Sequence, residues 1–206
     1  MVLDFKFIIS GTLIILALIP LYIYRKTIFK HFYKKGDIKT FIKSLTIILK
    51  QDYPKIPFNF NILEKYKDEK DIRIQETLIV EDFVKQFCNY EYELYTQPSV
   101  SKEHLWSTYE QNSSLRKDNQ YPKDWNQRKE VAWIRDNKKC NRCGTELKLS
   151  DTQTLLVKQM KNGGGFNLEN ITILCNDCTK VLKSTNIERT AKDLHILDRL
   201  MIKVEN

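Results

Sequence analysis

Four cysteines carry the most legible chemistry. Cys140 and Cys143 enclose Asn141 and Arg142; after 31 further residues, Cys175 and Cys178 enclose Asn176 and Asp177. Thiolates are soft ligands, and two such pairs present four sulfurs to one tetrahedral zinc ion. Disulfides and coincidence are the competing readings. A reducing compartment disfavours the first, and Gly144, directly after Cys143, suits a metal knuckle and disfavours the second. The gap between the pairs is wider than in a short zinc ribbon, so a structured insert is expected between them. Cys88 has no partner motif and reads as a buried structural thiol. Only three histidines are present, which limits any chemistry built on imidazole.

The residues around the cysteines add a register. Tyr121 to Trp125, Arg128 and Val131 to Asp136 precede the first pair, and Gly163, Gly164, Leu168 to Ile171 and Leu174 lead into the second. In this arrangement residues 121–183, about 30% of the chain, resemble the HNH endonuclease family. The resemblance implies a ββα-metal fold, a β-hairpin followed by a helix, with a structural zinc on Cys140, Cys143, Cys175 and Cys178 clamping its ends. A helix is expected before the first pair, with Asp124 as its N-cap and Gln127 three residues on. The resemblance also locates the family's catalytic positions. The general-base histidine position is Leu156, the metal-ligand position before it is Leu155, and the ligand position after the last cysteine is Thr179. Only the central asparagine is kept, as Asn170, and it orients the hairpin without doing chemistry alone. Phosphodiester hydrolysis by this design needs an imidazole to take a proton from water and a divalent ion to stabilise developing charge. Leucine has no lone pair for either task, and threonine is a weak neutral ligand. No catalytic residue is therefore expected at Leu156, Asn170 or Thr179, and no catalytic metal. A scaffold without its active site reads as a pseudonuclease.

The elements that must position these residues are less distinctive. The net charge of +8 is unevenly spread: residues 1–35 carry +5, residues 36–120 carry −2 and residues 121–206 carry +5. In the last block Arg128, Lys129, Lys138, Lys139, Arg142, Lys158, Lys161, Lys180 and Lys183 are candidate phosphate contacts, which makes DNA the expected partner. A capping-box pattern from Thr185 to Glu188 opens a final amphipathic helix, with Ile187, Ala191, Leu194, Leu197, Met201 and Val204 at helical spacing. Before the module, Ile38, Phe41, Ile42, Leu45, Ile48 and Leu49 form an apolar stripe, read as a core-facing helix over an interfacial one. Pro54 and Pro57 mark a loop, a second helix is expected over 78–95, and residues 96–120 read as a linker. A protein partner would dock on residues 36–120 or on the final helix.

From Phe7 to Tyr24 the chain has 18 consecutive residues without a formal charge. That length just reaches what a membrane-spanning helix needs, and Arg25, Lys26, Lys30, Lys34 and Lys35 follow it, so the bulk of the chain is expected on the cytoplasmic side. A cleaved signal peptide would want a basic start and a small-residue cleavage site, and neither is present. The expected architecture is thus α+β: an N-terminal transmembrane helix with a basic flank over 1–35, a mainly helical region over 36–120, and an HNH-like zinc-stapled domain with a final helix over 121–206. The expected function is a single-pass pseudonuclease in the inner (plasma) membrane that binds DNA without cleaving it. Two alternatives stand beside it. One is an active metal-dependent endonuclease with a relocated site, using His104 or His195 with Asp151 or Asp177. The other is a zinc-stapled protein-interaction module.

Overall fold

A computed structural model of the chain describes residues 5–24, 37–111 and 120–205. It divides into two units, Met1–Asp37 and Ile38–Asn206. In the first, helix α1 spans Phe5–Ile23. Its described side chains run from Ile9 to Ile23, 15 residues interrupted by Ser10, Gly11, Thr12 and Pro20. Among the described residues, no helix is long and apolar enough to cross a membrane. This corrects the expected transmembrane helix and the single-pass placement in the plasma membrane. The basic flank at Arg25, Lys26, Lys30, Lys34 and Lys35 lies outside the described residues, as do residues 112–119 of the expected linker.

The second unit is built on helices. Helix α2 (Ile38–Asp52) buries Phe41, Leu45 and Leu49, so the stripe faces the core. Helix α3 (Ile72–Asn89) starts six residues before the expected Leu78, because the Asp71 carboxylate accepts the Arg73 N–H at 3.0 Å and caps it there. It ends well short of Tyr95. Backbone carbonyls of Phe87 and Tyr90 turn to the Arg142 guanidinium at 2.7 and 2.8 Å.

The segment expected as a linker is packed rather than free. Gln97 N–H bonds Glu169 O at 2.8 Å, and Val100, Leu105 and Tyr109 lie against a small core of Ala132, Leu168, Ile171 and Ile173. Helix α4 (Trp125–Arg135) follows. Asp124 precedes it without capping; its carboxylate instead takes the Arg128 Nε–H at 2.9 Å. Strands β1 (Gln153–Leu156) and β2 (Ile171–Leu174) pair antiparallel, with Gln153 opposite Leu174 and Leu156 opposite Ile171. Helix α5 (Asn176–Lys183) continues directly from β2.

The final amphipathic run divides into α6 (Ile187–Ala191) and α7 (His195–Glu205). Asn186, not Thr185, caps α6, accepting the Arg189 N–H at 3.0 Å. Helix α7 packs on α2 and α3, and Leu194, Ile196 and Leu200 join Leu45, Leu49, Ile79 and Phe83 in one core cluster. Segments on both sides of residue 120 therefore share a core.

Candidate metal centre and adjoining cleft

Two separate turns bring the cysteines together. Asn137 and Lys138 take left-handed backbone conformations, φ 53° and 59°, and reverse the chain after α4. The knuckle is then closed by Cys140 N–H to Thr145 O and Gly144 N–H to Cys140 O, both 2.9 Å. Gly144 sits at φ +82°, and a Cβ there would meet Pro54 Cγ at 2.9 Å, so glycine is required twice over. The Pro54 loop is held against the knuckle by Lys55 N–H to Cys143 O at 3.1 Å and by Thr145 Oγ1–H to Asp52 O at 2.5 Å. The second pair sits at the first turn of α5, where Cys175 Sγ accepts the Cys178 N–H at 3.3 Å.

All five cysteines are free thiols. Sulfurs placed ~2.3 Å from a central ion in a tetrahedron stand about 3.8 Å apart. Cys143 and Cys175 Sγ are 3.8 Å apart, and all four ligand sulfurs lie within 4.8 Å of one another. The set can hold a metal ion. Hydrogen bonds from Cys143, Cys175 and Cys178 push the Cys140 thiol far below its ordinary range. Cys175 is pushed far up by its hydrogen bonds to Cys140 and Cys143, and Cys178 by burial. Arg142 adds fixed positive charge. It is 1% exposed, its Nη1 donates to Cys178 Sγ at 3.5 Å, and its guanidinium lies 5.0 Å from the Phe87 ring centroid.

The candidate phosphate contacts separate into two groups. Arg142 and Arg128 are buried and hold the fold together, which corrects their assignment as DNA contacts. Arg128 is 0% exposed, donates to Phe166 O at 2.8 Å and Glu110 O at 3.0 Å, and lies over the Tyr109 ring. Lys180 and Lys129 are half-buried, and the Lys180 ammonium donates to Asp193 O at 2.7 Å. Lys138, Lys139, Lys158, Lys161 and Lys183 are exposed, with the Lys138 ammonium 5.1 Å from the Trp133 ring centroid.

Asn170 closes the long loop between the strands. Its Oδ1 accepts the Lys158 N–H at 2.7 Å, and its Nδ2 donates to Lys158 O at 2.9 Å and Gly165 O at 2.6 Å. Gly164 is part of the same closure, since a Cβ there would lie 1.8 Å from Lys158 O. Leu155 and Leu156 are half-buried and help line a cleft of about 350 Å³ together with Tyr121, Trp125, Phe166, Lys161 and Lys183. Thr179 turns away from chemistry, its hydroxyl donating to Cys175 O at 2.9 Å. No family model, curated protein or solved structure matches the chain.

The residues of a relocated active site lie elsewhere. His104 pairs with Ser101 Oγ at 2.7 Å, and His195 with Asn176 Nδ2 at 3.3 Å; neither lines the cleft. Asp151 accepts the Ser150 hydroxyl at 2.8 Å. Asp177 accepts the N–H groups of His195 at 3.0 Å and Ile196 at 2.9 Å. Its role as the cap of α7 was not visible in the sequence. An acidic residue inside a metal knuckle gives no sign of a partner 18 residues away.

Proposed function

We propose that the chain is a zinc-stapled, HNH-like pseudonuclease that binds DNA without cleaving it. The observation that carries this reading is a hairpin between two cysteine pairs and a helix that starts at the second pair, with Leu155, Leu156 and Thr179 at the positions where the chemistry would sit. The Asn170 clamp supports it, because the hairpin is still braced as a site would need although no proton acceptor stands in it. Zinc suits an all-thiolate tetrahedral set better than a hard cation does. It would be held by Cys140, Cys143, Cys175 and Cys178 and would brace the fold, taking no part in hydrolysis.

DNA is favoured by the charge around the cleft. Its lining contains two lysines and no carboxylate, and Lys158 lies exposed next to it in sequence. The test is binding of the zinc-loaded full-length protein to duplex and to single-stranded DNA, from about 50 to 200 mM salt. Three phosphate contacts predict a log–log slope of about −2.7 for a duplex, an affinity loss of about 40-fold over that range. The duplex should also remain intact with magnesium or manganese present. No binding of either duplex or single-stranded DNA at the lowest salt would overturn the reading in favour of an interaction module, and metal-dependent cleavage would overturn it in favour of a nuclease.

A further inference from the structure

The cleft has a wall that a duplex does not need. Tyr121, Trp125 and Phe166 form one aromatic group, with ring centroids 4.6 Å apart for Tyr121 and Trp125 and 5.4 Å for Trp125 and Phe166. Tyr121 is nevertheless 62% exposed, so much of a ring that is backed by a second ring faces solvent. Lys161 and Lys183 reach the same cleft from the inter-strand loop and from α5, and its volume of about 350 Å³ falls within the range of small-ligand sites. Thr154 and Gln159 add a hydroxyl and a carboxamide to the lining.

We infer that this cleft holds one unpaired nucleotide of single-stranded DNA, its base stacked on Tyr121 and its flanking phosphates met by Lys161 and Lys183. The inference rests on the DNA-binding reading above and narrows it to a strand type. In a duplex each base is covered by its neighbours and offers no free π-face. An unpaired base does, and stacking on an aromatic ring backed by cationic side chains is how single strands are held without sequence readout. The leucines in the lining favour the same occupant, since they offer a base apolar surface and a phosphate nothing.

The experiment compares four oligonucleotides of equal length with the full-length protein by fluorescence anisotropy: oligothymidylate, an abasic strand, a duplex and oligouridylate. Oligothymidylate should bind at least tenfold tighter than the abasic strand. Tyr121→Ala should remove most of that difference, a loss of roughly tenfold for one stacked base, while Tyr121→Phe keeps it. Lys161→Ala and Lys183→Ala should weaken the oligothymidylate and abasic strands alike. Equal binding of those two strands, or an unaffected Tyr121→Ala protein with intact metal content and helicity, overturns the inference. Salt-dependent duplex binding at least as tight as oligothymidylate binding overturns it while leaving DNA binding intact. Binding to none of the four removes both readings, and a tenfold preference for oligouridylate overturns the DNA assignment.

Discussion

At the scale of single residues, burial separates arginines that the sequence presents as alike. Arg128 and Arg142 stand among lysines in a basic stretch, and their type and spacing suit phosphate contacts as well as those of their neighbours. What removes them from the surface is the supply of carbonyl oxygens from distant parts of the chain, such as Phe87 and Tyr90 for Arg142, which no local pattern announces. The cysteines are the opposite case. Their spacing, with Gly144 beside them, is enough to place four sulfurs around one point. Arg142 joins the two cases, since it bridges the end of α3 to Cys178. Truncating it leaves several buried carbonyls unpaired and removes the charge beside the thiolates. Arg142→Leu should therefore destabilise the protein by about 3–5 kcal/mol and speed metal loss to a chelator. Arg142→Lys should restore little, because an ammonium cannot fork across the same acceptors. Denaturant titration together with chelator competition measures both effects. A stable Arg142→Leu protein with unchanged metal retention would mean that the bridge is incidental.

At the scale of elements, periodicity located the helices and misjudged their ends. The apolar stripe of α2 was readable because its buried positions recur at helical spacing. The start of α3 depends on one cap at Asp71, and its stop on Arg142. The final amphipathic run is two helices because Asp177, in the knuckle, offers its carboxylate to the N–H groups of His195 and Ile196. This single side chain fixes where α7 begins and ties that helix to the metal centre. Asp177→Ala should cost about 1–2 kcal/mol, the value of a strong N-cap, and Asp177→Asn should keep most of it through the remaining amide oxygen. Amide exchange would localise the effect: protection at residues 195–200 should fall in Asp177→Ala while the β1–β2 pairing stays protected. Equal loss in both places would mean that Asp177 supports the metal site and not the helix.

At the scale of the whole molecule, the sequence suggests a boundary near residue 120 because composition and charge change there, and the core crosses it. Cys140, Cys143 and Cys178 belong to the same buried cluster as Phe41, Leu45, Phe83 and Leu200. The Pro54 loop, the end of α3 and the start of α7 are each bonded to a knuckle residue. A metal ion here would therefore brace helices far from it in sequence. The magnitudes decide how far its removal should spread. Binding at structural thiolate–imidazole zinc sites is worth about 10–16 kcal/mol in small peptides, whereas a domain's whole stability is about 5–15 kcal/mol. Taking the metal away should exceed what the packing of α2, α3 and α7 holds in reserve. Chelation is expected to give one cooperative transition, with loss of α2 and α3 amide protection at the same chelator concentration as loss of β1–β2. Circular dichroism and hydrogen exchange during a chelator titration follow both. If α2 and α3 kept their protection while the knuckles came apart, the helices would be a separate folding unit. The shared core would then be a contact surface between two independently stable parts.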